Sequence, residues 1–179
     1  MTVYVGLGSN LPSATHGEPR AVLEASIRLM REAGLDVLAC SSWWRTAPVP
    51  VTLDQPWYTN RVVALRTALP PPDLMVLLLD IEARLGRTRD QRWQARVVDL
   101  DMIDYDGRID PGPVAILPHP RMAERGFVLR PLAELAPDWR HPASGTAIAE
   151  LIAALPAEQV VERIDQVQST FRIPLFDKF

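Results

Sequence analysis

The chain has 179 residues, of which 47% are hydrophobic and 23% charged, and its formal net charge at pH 7 is −3. This length and balance predict one globular domain with a buried core, and they argue against a basic protein that binds nucleic acid. With no apolar run long enough to span a membrane, no secretory signal and a single cysteine, Cys40, the sequence predicts a cytoplasmic protein without disulfides.

The first half of the chain is predicted to alternate between strand and helix. Residues 3–7 form a short apolar run typical of a strand, and apolar residues at helical spacing predict a helix over 20–34. Residues 35–44 favour a second strand. Three prolines within residues 45–56 then predict an irregular loop that is long enough to be functional.

The second half continues this alternation. Residues 58–67 alternate in polarity as a strand does. Residues 73–86 predict an amphipathic helix, for which Asp73 is the expected N-cap. Residues 97–105 predict the next strand.

A turn signal and three short helical segments complete the pattern. Asp106-Gly107 predicts a hairpin that leads to a strand at 114–117. Helical segments are predicted at residues 122–126, 128–136 and 148–154. The order of elements favours an α+β fold, a ferredoxin-like sandwich with a mostly antiparallel sheet and long active-site loops. We expect a monomer with one domain over residues 1–157 and a C-terminal tail, 158–179, that forms a surface strand, a docking segment or a disordered end.

Two aspartates share one face of the strand predicted at 97–105. Because side chains two residues apart in a strand point to the same side, Asp99 and Asp101 converge while Leu100 and Met102 fill the opposite face. Neighbouring carboxylates repel each other, so the pair requires a cation. Arginine partners would make it a structural salt-bridge cluster, whereas a divalent metal such as Mg²⁺ would make it a binding site. The acid pair alone leaves both interpretations open.

Four arginines precede the acid pair, at positions 87, 89, 92 and 96. Two would be enough to neutralise the aspartates, so the surplus positive charge favours a polyphosphate ligand bound together with Mg²⁺. Gly86 is expected to end the preceding helix and to release residues 87–96 as a basic loop that closes over phosphates. The alternative is a solvated basic loop without a ligand.

Two common phosphate-binding motifs are absent from the sequence. The segment 6–11, GLGSNL, lacks the third glycine of the dinucleotide fingerprint, and no glycine-rich loop ending in Gly-Lys-Ser/Thr occurs. A P-loop enzyme is therefore excluded. Gly6 and Gly8 are instead predicted to form a tight turn at the end of the first strand.

Several sequence blocks resemble one enzyme family in both content and order. They are VGLGSN at 5–10, SWWRTAP at 42–48, QPWYTN at 55–60, RW at 92–93, DLD at 99–101, PHPRM at 118–122 and RGFV at 125–128. Together they cover roughly residues 3–142 and are similar to those of the 6-hydroxymethyl-7,8-dihydropterin pyrophosphokinases. The resemblance implies an enzyme of folate biosynthesis that transfers the β,γ-diphosphoryl group of ATP to the hydroxymethyl group of a reduced pterin and releases AMP.

The resemblance also implies which residues handle the nucleotide. Asp99 and Asp101 match acids that hold two Mg²⁺ ions. Arg87, Arg92 and Arg96 match catalytic arginines that act beside these acids. ATP contacts are implied for a second set of residues: Glu82, Arg89, Trp93, Met102, His119 and Arg125.

The pterin pocket is implied by the resemblance and agrees with the chemistry of the ring. A flat heterocycle is best held between aromatic faces, with an amide that reads its edge. Tyr58, Phe127 and Asn60 supply these groups. The pocket wall is implied to include three further positions: Thr46, Ala47 and Val49. We expect small-molecule substrates and neither a nucleic-acid nor a membrane partner.

Two departures from the family pattern favour an alternative. Gln94-Ala95 replaces a Gly-Pro pair, and Leu79 occupies a position on the nucleotide side that is usually polar. Both are compatible with a pterin- or nucleotide-binding regulator that has kept the pocket and lost catalytic activity. A third interpretation, an RNA-binding module, draws on the ferredoxin-like topology, but the aromatic signature of RNA recognition is missing.

Overall fold

The computed structural model describes residues 1–48, 55–87 and 97–164. Within these ranges, six strands form one antiparallel sheet. The strands are β1 (Thr2–Ser9), β2 (Asp36–Cys40), β3 (Trp43–Thr46), β4 (Tyr58–Arg66), β5 (Asp99–Tyr105) and β6 (Val161–Ile164). The helices are α1 (Pro19–Glu32), α2 (Pro71–Arg84), α3 (Gly126–Leu135) and α4 (Ile148–Ala153), with a 3₁₀ turn at Met122–Glu124. In the part of the chain so described, no helix has the length and apolar character needed to cross a membrane.

The order of the strands confirms the predicted α+β fold with an antiparallel sheet. The strands lie in the order β5, β1, β4, β3 and β6, and β2 pairs with β4. Because β2 and β3 both pair with β4, they act as one interrupted strand. If β2 and β3 are counted as one strand and β6 is left out, four core strands remain. Numbered in chain order, they lie in the sheet as fourth, first, third and second, which is compatible with a ferredoxin-like arrangement.

Two serines divide the strand that the sequence predicts at 35–44. The Ser41 hydroxyl donates to the Ser42 carbonyl oxygen at 2.9 Å and accepts a hydrogen bond from the Val62 N–H at 3.0 Å. A side-chain oxygen therefore takes the place of the backbone acceptor that an unbroken strand would offer to β4.

Apolar side chains separate onto the two faces of the sheet. Val3, Val5 and Leu7 of β1 are buried in a core shared with α1 and α2, as the two-residue period of a strand requires. On the opposite face, Val62 and Ile103 pack in a second core with α3 and α4. Both faces of the sheet are therefore covered by helices.

Prolines, and not Asp73, begin the second helix. α2 starts at Pro71, with Pro70 at the N-cap position and without a side-chain cap hydrogen bond. Proline suits the first helical turn because its ring presets φ and its missing N–H would have no helical partner there. The predicted N-cap Asp73 lies inside the first turn, where its charge interacts favourably with the helix dipole.

The predicted turn at Asp106-Gly107 is confirmed, but the strand predicted at 114–117 is not formed. Both turn residues have positive φ, 53° and 70°, as this turn type requires. Between residues 108 and 118, β pairing is limited to one bridge that joins Asp110 to Leu117. Two prolines lie between these bridge partners, and each removes a backbone donor that a ladder needs.

The C-terminal segment contributes to the sheet. β6 pairs with β3, and Val161 lies opposite Thr46. Four residues of the predicted tail, 158–179, therefore form a sheet strand, which is one of the three forms that the sequence left open.

Candidate active site

Predicted site residues from neighbouring strands meet on the α3 side of the sheet, which we call the site face. In the strand register, Gly8 of β1 lies opposite Asp99 of β5 on one side and opposite Asn60 of β4 on the other. Tyr58 lies on β4 opposite Thr46 of β3. Because neighbouring strands are about 5 Å apart, roughly 10 Å separates the backbones of Asp99 and Asn60. The predicted metal-binding and pterin-binding residues thus lie on either side of β1.

Gly6 and Gly8 lie inside β1 and not in a turn after it. The predicted tight turn is wrong because β1 continues to Ser9 and pairs with β4 over its whole length. A Cβ on Gly8 would lie 3.3 Å from Asn60 Oδ1, and one on Gly6 would lie 3.2 Å from Ile103 Cδ1. Glycine therefore keeps the floor between the acid pair and Asn60 free of side chains, a role that the sequence pattern alone did not reveal.

The two aspartates of the acid pair are accessible from the site face. Asp99 Oδ1 accepts a hydrogen bond of 2.7 Å from Arg87 Nη1, and the Asp99 side chain is 29% exposed. The Asp101 side chain is 41% exposed, and its Oδ2 lies 3.7 Å from Arg125 Nη1 and 3.9 Å from His119 Nε2. The structure therefore assembles these five predicted residues into one cluster that a ligand can reach.

Glu82 lies beneath this cluster, in the last turn of α2, and is 1% exposed. Its Oε1 accepts a hydrogen bond of 2.7 Å from the Leu100 N–H and a second one from Arg87. Burial raises the pKa of Glu82 to about 7, although both donors act in the opposite direction. The Glu82 carboxyl group thus holds Arg87 against Asp99.

His119 is a neutral hydrogen-bond donor in this environment. Burial and the nearby Arg125 and Arg121 lower its pKa to about 4. The Arg121 N–H donates to His119 Nδ1 at 3.2 Å, which assigns the ring proton to Nε2, on the side of Asp101. The His119 backbone N–H donates to the Ile103 carbonyl oxygen at 2.9 Å and anchors the loop to β5. His119 therefore presents a proton-bearing nitrogen, and not a charge, to the site face.

Arg125 connects the acid pair to the start of α3. Its Nη1 faces Asp101, and its Cζ lies 5.5 Å from the centre of the Phe127 ring, within the range of a cation–π contact. Phe127 is half-buried and packs against the second core. One arginine thus contacts both the predicted phosphate side and the predicted aromatic wall.

Asn60 is held in one orientation. It is 3% exposed, and its Nδ2 donates a hydrogen bond of 2.8 Å to Thr46 Oγ1. Its Oδ1 is directed towards β1, where a Cβ on Gly8 would meet it. The neighbouring Tyr58 hydroxyl is in hydrogen-bond contact with Gln55 Nε2 at 2.9 Å. The Asn60 amide therefore presents its acceptor, with a fixed geometry, to the site face.

The remaining predicted residues are one on the opposite face of the sheet, one at the end of β3 and five outside the described ranges. Met102 is 2% exposed in the core shared with α1 and α2, on the face opposite the acid pair, so its side chain is not part of the cluster. Ala47 is buried immediately after β3. Five predicted residues lie outside the described ranges: Val49, Arg89, Arg92, Trp93 and Arg96.

Comparison with known sequences shows close relatives. Residues 4–137 match the family model described as 7,8-dihydro-6-hydroxymethylpterin-pyrophosphokinase (HPPK). The 2-amino-4-hydroxy-6-hydroxymethyldihydropteridine pyrophosphokinase of Synechocystis sp. is 43% identical over 148 residues, which cover 83% of this chain and 73% of the relative. The protein of the same description from Methylorubrum extorquens is 40% identical over 163 residues, which cover 90% of this chain and 98% of the relative.

Solved structures show a related fold. A crystal structure of Plasmodium falciparum HPPK-DHPS aligns with a TM-score of 0.62 at 13% identity, over 85% of this chain and 44% of that longer chain. The fold and the matched sequence region together define a pyrophosphokinase. The chain belongs to the 7,8-dihydro-6-hydroxymethylpterin-pyrophosphokinase family, which confirms the resemblance seen in its sequence blocks.

Proposed function

We propose that the enzyme transfers the diphosphoryl group of ATP to the hydroxymethyl group of 6-hydroxymethyl-7,8-dihydropterin and releases AMP, as a step of folate biosynthesis. Family membership supports this activity. The observation that carries it for this chain is the arrangement of the site face, where an accessible acid pair with two arginines lies across a glycine floor from the oriented amide of Asn60.

Asp99 and Asp101 have the chemistry of a magnesium site. Mg²⁺ commonly takes one or two carboxylates and fills its other positions with water and phosphate oxygens. Across residues 1–48, 55–87 and 97–164, no group of three or more His, Cys, Asp or Glu side chains could hold a metal ion. The other ligands of an ion at this pair would be water and phosphate oxygens, as is usual for Mg²⁺. We propose that this pair holds two Mg²⁺ ions, which when bound would neutralise charge on the phosphates.

The arginines of the cluster would hold the phosphates and absorb charge during transfer. The hydroxyl oxygen of the pterin forms a bond to the β-phosphorus of ATP while the bond from that phosphorus to the oxygen shared with the α-phosphate breaks. The hydroxyl proton passes to water and AMP leaves. Arg87, held by Glu82 and Asp99, and Arg125 carry the positive charge that favours this transition state. His119 donates a hydrogen bond to a phosphate oxygen. Contacts to ATP or to the transferred phosphates also stay predictions for four further residues: Arg89, Arg92, Trp93 and Arg96.

The pterin would lie on the other side of β1. Asn60 Oδ1 is positioned to accept a hydrogen bond from an N–H at the edge of the ring, because its Nδ2 is already engaged by Thr46. Phe127 and Tyr58 would cover the faces of the ring. We further propose that the enzyme acts on these small molecules as a monomer in the cytoplasm. The single cysteine fits that reducing compartment.

Asp101→Ala tests the proposed activity. With ATP, the pterin and Mg²⁺, we expect its rate of AMP formation to fall by roughly a hundredfold or more, because charge stabilisation at the phosphates is lost. Pterin binding measured by calorimetry should stay near the wild-type value, since the pterin contacts come from the other side of β1.

Asp36→Ala is the matched control, because Asp36 is an exposed aspartate paired with Arg66 at the far end of the sheet. Release of ADP in place of AMP by the wild type would contradict diphosphoryl transfer. Tight ATP binding without AMP formation would support the regulator that has lost chemistry. Turnover of Asp101→Ala at the wild-type rate would remove the proposed metal role.

A further inference from the structure

One side chain from the C-terminal segment spans the turn that carries Arg125. Gln159 Oε1 accepts a hydrogen bond of 2.9 Å from the Gly126 N–H, and Gln159 Nε2 donates to the Glu124 carbonyl oxygen at 2.8 Å. The two bonds start from the same amide and bind the backbone on either side of Arg125. The backbone from residue 124 to residue 126 is therefore clamped by a residue more than thirty positions further along the chain.

The start of α3 depends on this contact. Its N-cap residue is Arg125, which makes no side-chain cap hydrogen bond, so the first N–H of the helix is satisfied from outside by Gln159. The fit is close, because a Cβ on Gly126 would lie 3.1 Å from Gln159 Oε1, 3.1 Å from Val161 Cγ2 and 3.2 Å from Leu155 Cδ1. Gly126 thus allows the C-terminal segment to close on the helix.

The same segment also supports the opposite wall of the site face. The Ala47 N–H donates to the Val160 carbonyl oxygen at 3.2 Å, and Thr46 pairs with Val161 in the sheet. Residues 159–161 therefore contact the start of α3 on one side and the end of β3 on the other. This segment lies beyond residues 4–137, the region that matches the family model.

We propose that Gln159 is a positioning residue, which holds Arg125 over Asp101 and Phe127 over the pterin site by bridging Glu124 and Gly126. The proposal rests on the function proposed above, because it assigns Arg125 to the phosphates and Phe127 to the pterin. Arg125 and Phe127 are the two neighbours of Gly126, so a shift of this turn would displace both. Misplacement of such groups by about 1 Å is enough to slow a reaction that depends on orientation.

Gln159→Met is the main test, because methionine keeps the length of the side chain and removes both hydrogen bonds. We expect kcat/KM for the pterin to fall about tenfold, and the pterin Kd from calorimetry to rise several-fold. Gln159→Glu keeps the acceptor for the Gly126 N–H and loses the donor to Glu124. Its second carboxylate oxygen would face the Glu124 carbonyl oxygen with no proton between them, so its pterin Kd should also exceed that of the wild type.

Glu162→Gln is the matched control, because Glu162 lies on β6 with its side chain 44% exposed and pairs with Arg45 on the surface. It should leave kcat/KM within about twofold of wild type. All assays are run at a temperature where circular dichroism shows each variant to be fully folded, which separates positioning from loss of folded enzyme.

Values of kcat/KM and pterin Kd within twofold of wild type in Gln159→Met would overturn the positioning role. The role would also be overturned if the control Glu162→Gln showed the same loss as Gln159→Met. The wild type is measured for AMP formation in the same assay. Failure of the proposed function, seen as an inactive wild type, is thereby distinguished from failure of the positioning role, seen as an unchanged variant beside an active wild type.

Discussion

At Glu82, burial and ion pairing shift the pKa of one carboxyl group in opposite directions. The residue is 1% exposed, and its Oε2 has no hydrogen-bond partner among the residues that the structure describes. Arg87 and the Leu100 N–H bind its Oε1, yet burial prevails and raises the pKa from 4.5 to about 7. We predict that Glu82→Gln removes a pH dependence of the free energy of unfolding that the wild type shows between about pH 5 and pH 8.

The sign and size of this dependence follow from the two pKa values. The folded state has the higher pKa, so it binds the extra proton, and the stabilising contribution is complete below the unfolded value of 4.5 and is lost as the pH rises through about 7. At about 1.4 kcal/mol per pH unit, this difference amounts to about 3 kcal/mol, most of it between pH 5 and pH 8. Glutamine can accept the Leu100 hydrogen bond but does not titrate, so the variant lacks this contribution.

Urea unfolding followed by circular dichroism at several pH values measures the effect. The free energy of unfolding of the wild type minus that of Glu82→Gln should fall by about 2 to 3 kcal/mol from pH 5 to pH 8. The same substitution at exposed Glu24 controls for the loss of one carboxyl group. A difference that stays constant over this range would show that Arg87 and Leu100 keep Glu82 ionised, and that burial does not prevail.

Two further substitutions test the site face and a buried hydrogen bond. Gly8→Ala should raise the pterin Kd several-fold in calorimetry, because the new Cβ would lie 3.3 Å from Asn60 Oδ1 and displace the amide, while stability changes by less than about 1 kcal/mol. Trp139→Phe should lower the free energy of unfolding at pH 8 by about 1 to 3 kcal/mol, since it removes the 2.9 Å hydrogen bond from Trp139 Nε1 to buried Asp104. Burial raises the pKa of Asp104, whereas the Trp139 hydrogen bond lowers it by favouring the charged carboxylate. The variant lacks this bond, so its Asp104 takes up a proton more readily, and urea unfolding should show a smaller loss in the free energy of unfolding at pH 5. An equal loss at both pH values would mean that the indole contributes packing alone.

Local patterns carried most of the information about the elements and the family. The helix predicted at 20–34 and the strands at 58–67 and 97–105 correspond to α1, β4 and β5, because each buries one face and the apolar period records which face it is. The alternation around Asp99 and Asp101 likewise placed both carboxyl groups on one side of β5. The ordered blocks identified the family, which the comparisons confirm.

Contacts between distant residues decided the rest. Gly6 and Gly8 resemble a turn in the sequence, and only the pairing of β1 with β4 and β5 shows that they form the floor between Asp99 and Asn60. The environment of Glu82 likewise depends on Leu100 and Arg87, which the fold brings to it from other elements.

The sequence by itself therefore determined which residues share a face of each helix or strand, since that information is periodic and local. Only the tertiary structure decided which elements share the site face, which carboxyl group is buried, and that Gln159 closes on the start of α3. These properties depend on the burial and the hydrogen bonds that arise when segments far apart in the chain pack together, and no local period encodes them.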